Sequence, residues 1–291
     1  MRMGIARLAV SSLLLLAVSG CNELRVFFPA HDYETVPPDV STLDPDAPAL
    51  LVFTKTNGFR HEAAIPAGLD AIRQIAERRG WRVFHTENAA VFAPEILPRF
   101  AAAIWHNTSG DLLTPAQRAA FRSWIEAGGG FVGIHGAGGD FEYQWPWYVE
   151  HLIGAQFIGH PLGPQFQRAT VRVAATDQPA TRKLPASWSY TEEWYSFDRN
   201  PRAAGSTVLV GVDERSYSPR VSGFYALLGI GEADLAMGAE HPVVWQHCVL
   251  RGRAIYSALG HAPETYAMPE YRNLLEGAIA WAAGFEGDGC D

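Results

Sequence analysis

Four short apolar runs, each emptying into a loop, constrain the fold of this chain more than any other feature. Leu50-Leu51-Val52-Phe53 leads into Thr54-Lys55-Thr56-Asn57-Gly58, and Trp81 to Thr86 is the second run. Ala101 to Trp105 leads into His106-Asn107-Thr108-Ser109-Gly110-Asp111, and Phe131-Val132-Gly133-Ile134 stops at His135-Gly136. Between the first two runs Ile65, Leu69, Ile72 and Ile75 recur at helical spacing from Glu62 to Arg79, and Gly80 closes the segment. Thr114-Pro115-Ala116-Gln117 has the form of a capping box with proline at the first helical position, and Phe121, Trp124 and Ile125 continue that helix's buried face. Strand–helix alternation with continuous apolar strands predicts an α/β fold, a mainly parallel sheet with helices on both faces. Thr170 to Val173 and Thr207 to Val212 alternate more, and Val243 to Cys248 with Arg253 to Leu259 predicts antiparallel pairing near an edge. A last amphipathic helix uses Tyr271, Leu274, Leu275, Ala278 and Ile279. One domain over residues 49–285 accounts for these elements, with 286–291 as a tail.

The N-terminus reads differently. Arg2 and Arg7 precede an apolar stretch from Leu8 to Val18, too short to span a bilayer comfortably, and Val18-Ser19-Gly20-Cys21 resembles a bacterial lipobox. Residues 1–20 are therefore expected to be a lipoprotein signal peptide, with Cys21 lipidated and the body membrane-anchored outside the cytoplasm, on the periplasmic or cell-surface side. Removing them deletes two arginines and no acid, which takes the formal charge from −8 to about −10. Residues 21–48 carry Pro29, Pro37, Pro38, Pro45 and Pro48 among several aspartates and predict an extended tether whose second half can pack on the domain. An acidic body with no Lys/Arg-rich run excludes a nucleic-acid-wrapping protein. Three cysteines exclude a disulfide framework, although Cys248 and Cys290 could pair; Cys248 itself reads as a small core residue.

Histidines gather where strands end. His61 follows the first strand's loop, His106 the third strand, His135 the fourth, His160 sits in Gly159-His160-Pro161, and His261 follows Ala254 to Leu259. In open α/β sheets ligands bind beyond the carboxyl ends of the strands, so one face can collect these side chains. Gly133-Ile134-His135-Gly136-Ala137 has the shape of a nucleophile elbow with histidine at its centre. Histidine there serves acid–base catalysis or metal ligation better than acyl transfer. His31, His85, His151 and His247 have no such placement and read as structural. A Gly-x-Gly-x-x-Gly after the first strand, a P-loop and a His-Glu-x-x-His helix are all missing from the sequence, so no nucleotide cofactor is expected.

Taken in order, several segments carry a family resemblance. They are Phe53-Thr54-Lys55-Thr56-Asn57-Gly58-Phe59-Arg60-His61, Asn107-Thr108-Ser109-Gly110-Asp111, Gly128 to His135, Trp145-Pro146-Trp147-Tyr148, His160-Pro161, Glu193-Trp194-Tyr195, His241-Pro242 and Leu259-Gly260-His261. Through them residues 50–284 resemble a ThuA-like (trehalose utilisation) domain of the class I glutamine amidotransferase-like superfamily, which implies a flavodoxin-like fold and a role in carbohydrate metabolism. That superfamily's amidotransferases use a Cys–His–Glu triad. His135 stands here in the cysteine's place, while His261 and Glu264 follow a late strand as the triad's His and Glu do, so amidotransferase chemistry is not implied. Asp140 lies five residues after His135 where the family often has an acid at four, and the stretch from Arg215 to Glu240 is long, with apolar Phe224 to Ile230 as a lid or specificity loop.

The candidate catalytic set is His135, His160, Glu193 and His261, with Glu193 orienting one imidazole. His135, His160 and His261 would hold a divalent metal such as zinc, if one binds. His61, Asp111, Trp147, Trp194 and Tyr195 are the candidate substrate contacts, because sugar C–H faces stack on aromatic planes and hydroxyls bond to polar groups. Glu192 and Glu193 are neighbours, so on a strand they face opposite ways. They do not read as the paired acids of a glycosidase, whose carboxyls stand ~5–9.5 Å apart across the sugar. Two functions follow from this: an enzyme acting on a sugar, disaccharide or keto-sugar, and a non-catalytic carbohydrate-binding lipoprotein.

Overall fold

The structure, a computed structural model, describes residues 22 and 25 and residues 28–290 apart from 45, 46, 48, 142, 230, 232 and 233. The signal-peptide segment and Cys21 lie outside the described residues. Among those described, no helix is long and apolar enough to cross a membrane.

The chain opens with β1 (Ala49–Phe53), α1 (Ala64–Arg79), β2 (Val83–Thr86), β3 (Phe100–His106), α2 (Pro115–Glu126) and β4 (Gly130–Ile134). All five β1 residues are buried, as a strand covered on both faces requires. Helix α1 buries Ile65, Leu69, Ile72 and Ile75 and ends on Gly80 at φ 67°, a left-handed cap that glycine adopts without penalty. Helix α2 starts with the expected capping box: Gln117 N–H donates to Thr114 Oγ1, and the Gln117 side chain accepts from Thr114 N–H. The second half adds β5 (Phe157–Gly159), β6 (Phe166–Val173), β7 (Ser187–Glu193), β8 (Ser196–Phe197), β9 (Thr207–Val212), the short α3 (Gly223–Leu227), β10 (His241–Val249), β11 (Gly252–Ser257) and α4 (Pro269–Ala282).

Nine strands form one sheet in the order β2-β1-β3-β4-β11-β10-β9-β6-β7. The first five are parallel. Their order is that of a flavodoxin-like sheet, as the resemblance implied. Successive side chains of a strand face opposite ways, and β3 shows where the helices go. Trp105 stacks on Phe121 of α2, while His106 bonds the α1 carbonyls of Ala64 and Ile65, so the two helices cover opposite faces. Helix α4 packs beside α1.

The other four strands continue the sheet antiparallel. The β10–β11 pair is antiparallel as expected, but it occupies the middle of the sheet rather than an edge. Cys248 is also corrected. It is exposed on β10 and disulfide-bonded to Cys290 across 42 residues, which ties the tail to the sheet.

The expected tether lies on the domain along most of its described length. Ala30 N–H donates to Asn57 O at 2.7 Å, Asn57 Nδ2 donates to Asp32 O, and Glu34 pairs with the buried Lys55 while accepting from Ala89 N–H. Gln117 Nε2 donates to Glu34 O, and Leu43 is buried in the core. Residues 28–43 thus form a strap over the β1 and β3 loops.

Candidate functional site

Four parallel strands end at one edge, and the loop after each contributes to a single cluster. His61 comes from the loop after β1, Asn107 follows β3, His135 follows β4, and His261 follows β11. The cluster lies beyond the carboxyl ends of the parallel strands, where open α/β sheets bind ligands. Asn107 binds the loops together: its Nδ2 donates to Gly260 O at 3.1 Å and its Oδ1 accepts from Gly136 N–H at 3.2 Å.

His135 is fully buried and stands at φ 47°, in the left-handed region that non-glycine residues rarely adopt. The elbow shape expected at Gly133–Ala137 is present in this sense. Its Nδ1–H donates to Ala258 O at 2.7 Å, because a carbonyl oxygen only accepts. Its Nε2 is the ring's other nitrogen. That atom lies 3.0 Å from His261 Nδ1 and 3.2 Å from Glu193 Oε2, and Glu193 Oε2 is 3.0 Å from His261 Nδ1. Tyr195 stacks on the His135 ring with centroids 4.2 Å apart.

Electrostatics sort the three rings. Burial, reinforced by the charges of His135 and His261, drives His61 well below the ordinary imidazole range. Burial also lowers His261, but its hydrogen bond to Glu193 and that carboxylate's charge outweigh the effect and hold it above the ordinary value. For Glu193, burial would raise the carboxyl, yet the charge of His160 and hydrogen bonds from His135 and His261 keep it well below the usual carboxylate range.

His61, His135 and His261 each offer a ligand atom within 4.8 Å of the others. His61 Nδ1 is buried without a hydrogen-bond partner. A neutral, orphaned imidazole beside two further imidazoles and a carboxylate fits the donor set of zinc. His160 stands one step outside this trio. Its Nδ1–H donates to Pro161 O at 3.1 Å, and Nε2 lies 3.4 Å from the other Glu193 oxygen, which Gln165 Nε2 also bonds.

The remaining candidates divide. Asp111 accepts from Tyr33 O–H at 2.8 Å and pairs with Arg118, so it secures the strap. Trp147 packs on Trp145 beneath the Arg122 guanidinium, and Trp194 is fully buried, its indole N–H donating to Gln167 O. Both tryptophans serve packing. Glu264 lies on the cleft rim, and the partner of His261 is Glu193. Asp140 accepts from Gly110 N–H at 2.7 Å beside a small cavity of about 30 Å³, and burial raises its carboxyl to about 7.

Sequence reasoning singled out neither Asn107 nor Phe166 for the site, and it left Glu192 without a role. Glu192 faces away from Glu193, accepting from Gly260 N–H at 3.1 Å and Thr265 O–H at 2.9 Å, and so holds the His261 loop. The alternation of neighbouring strand residues was the available signal, since it separates these two carboxylates. Phe166 lies opposite Glu193 in the β6–β7 register and packs edge-on to His261 at 4.9 Å.

His106 belongs to the scaffold beneath the site. Its Nε2–H donates to Ala64 O and Ile65 O, and a Cβ at Gly68 would lie 2.3 Å from Nε2, so only glycine permits this approach. Burial lowers its pKa from 6.5 to about 4. The native state therefore excludes a proton that the unfolded chain accepts. Stability is full above pH 6.5 and falls as pH drops toward 4, by about 3 kcal/mol for such a shift. In a His106→Gln variant, which keeps a donor for the carbonyls, the melting temperature should fall less between pH 6.5 and 4 than in wild type. Parallel curves would refute the assignment.

A family model described as ThuA, trehalose utilisation, matches residues 49–282. The chain belongs to the ThuA family. This ThuA domain resembles a ThuA-like protein of Bacteroides uniformis at 26% identity and TM-score 0.67, over 85% of this chain and 95% of that one. A ThuA-like protein of Parabacteroides merdae is similar at 17% identity and TM-score 0.59, over 82% of this chain and 91% of that one. The second likeness speaks to the fold alone. No curated protein matches the chain. Membership associates the ThuA domain with carbohydrate metabolism.

Proposed function

We propose that the protein is an exported, lipid-anchored enzyme acting on a disaccharide or keto-sugar, by histidine acid–base chemistry or, with a divalent metal at the histidine trio, by metal-assisted chemistry. The observation that carries this reading is the set of His135 Nε2, His261 Nδ1 and Glu193 Oε2, separated by 3.0–3.2 Å, with the orphaned His61 beside it. His61 and His261 line a cleft of about 710 Å³, ample for a disaccharide-sized ligand. His61, His135 and His261 would hold the ion, which when bound supplies a water acidic near neutral pH.

With no ion bound, two imidazoles divide the proton work. His135, fixed by Ala258 O, presents a basic nitrogen and serves as general base. His261, whose protonated form the hydrogen bond and charge of Glu193 favour, serves as general acid at the cleft wall. Tyr195 holds the His135 ring in plane. Export is supported by the Cys248–Cys290 disulfide, a bond that persists in oxidising compartments, together with the lipobox-like Cys21.

Metal analysis of purified protein, followed by calorimetric titration with trehalose and its keto derivatives, tests the core of this proposal. One equivalent of zinc-like metal and turnover of a sugar are expected. Sugar binding without turnover would favour the carbohydrate-binding reading, and absence of both metal and sugar binding would overturn the enzyme.

A further inference from the structure

The carboxyl edge of the parallel strands carries more than the histidine cluster. Strands β4, β11 and β9 run one way and β10 and β6 the other. The β9–β10 connection and the start of β6 therefore lie at the same edge as His135 and His261. Helix α3 sits in that connection, and Ser222 just ahead of it donates its N–H to Leu162 O at 2.8 Å, in the loop that leads into β6. Phe224 and Leu227 of this helix are exposed, Leu227 by 83%, and so is Leu228 after it. Phe28 and Val36 of the strap are each 75% exposed. They stand at the same edge, where Ala30 bonds Asn57 O beyond β1 and Val36 O accepts from Asn88 beyond β2. Among the described residues, the large hydrophobics exposed at the opposite edge are Leu250, in the β10–β11 turn, and Phe285, past α4.

The expected membrane anchor reaches the same edge. Asn22 lines the cleft and uses both ends of its amide on the Arg60 backbone, at 2.9 Å each. Cys21 is one peptide bond away, and consecutive Cα atoms are ~3.8 Å apart. A lipid on its sulfur would enter the bilayer beside the cleft, not at the end of a free spacer. Apolar side chains gathered on one face mark an interaction site, and aromatic rings and leucines are favoured at a bilayer interface. Glu62 and Glu264 are exposed at this edge too, which favours zwitterionic over anionic lipid.

We propose that this edge of the domain lies against the bilayer that holds the Cys21 lipid, with Phe28 and the α3 side chains seated among its headgroups. This rests on the lipid anchor proposed above. The disaccharide or keto-sugar is then met at the membrane surface.

The lipidated protein in vesicles of phosphatidylethanolamine and phosphatidylcholine tests it. Cys248 and Cys290 are bridged, so Leu227→Cys, or Ala127→Cys at the opposite edge between α2 and β4, supplies the free thiol for a fluorophore. A lipid carrying a nitroxide on its headgroup should remove most of the emission from position 227 and leave that from 127 unchanged. Asn22→Ala, which loosens the anchor from Arg60, should restore part of the emission at 227. Equal quenching at the two positions, with lipid on Cys21 shown by mass, would overturn the membrane face and leave the anchor standing. Quenching at neither position, with a dimer in detergent, would give the apolar edge to a second copy of the chain instead. Cys21 without lipid would remove the anchor and the membrane face together.

Discussion

His135→Asn should fold with a melting temperature within a few degrees of wild type and lose zinc affinity by about 100-fold or more. Asparagine suits the test because position 135 stands at φ 47°, a conformation it tolerates far better than alanine. The variant forfeits the hydrogen bond to Ala258 O, worth about 1 kcal/mol, and some stacking against Tyr195. Its shorter side chain cannot replace the ring nitrogen now 3.0 Å from His261 and 3.2 Å from Glu193. Loss of an outer-sphere partner typically costs 10–100-fold in metal affinity, and loss of a direct ligand should exceed that. His160→Gln is the matched control, since His160 reaches only the far oxygen of Glu193, and about 10-fold is expected there. Competition against a chromophoric chelator reads both variants. Wild-type affinity in His135→Asn would remove the trio as a metal centre.

The double variant Cys248→Ser, Cys290→Ser should lose about 4 kcal/mol of stability, the loop-entropy value for a 42-residue closure, while retaining metal and sugar binding. The bridge fastens the tail beyond α4 to β10, at the strand's exposed Cys248, and neither sulfur lines the cleft. Denaturant titration of the variant, and of wild type with and without reductant, measures the effect. Equal midpoints would show that the pairing does not persist in solution. Unchanged stability with lost binding would instead tie a cysteine to function.

The parallel half of the fold was legible because its signals are local. The burial of Ile65, Leu69, Ile72 and Ile75, the Gly80 cap and the Thr114–Gln117 box each depend on residues within a few positions of one another. The central place of β10 and β11 was not legible. The pairing of Val243 to Cys248 with Arg253 to Leu259 is local, whereas sheet order is set by pairings with β9 and β4 far along the chain. The site divides in the same way. Histidines at strand ends could be read from position, and Glu193 as the orienting acid from its place among the motifs. That His61 rather than His160 lies with His135 and His261 was not legible from position: His61 offers a ligand atom within 4.8 Å of both, whereas His160 bonds Pro161 O and reaches the far Glu193 oxygen. Trp147 and Trp194 are buried in packing contacts, a placement that a tryptophan's sequence context does not tell from stacking on a ligand.

The strap over residues 28–43 gives the β1 loop a gradient of rigidity. It is fastened chiefly by side-chain-to-backbone hydrogen bonds and the Glu34–Lys55 pair, with Leu43 as its buried apolar anchor. Segments held this way open well below the free energy of global unfolding, as a unit. Peeling would free Asn57 and Lys55, the residues that precede His61 on its loop, without disturbing the strands behind them. Amide hydrogens of the strap should therefore exchange together and early, ahead of those of Thr54, Asn57 and Gly58, which bond Thr86 O and Ser109 O rather than the strap.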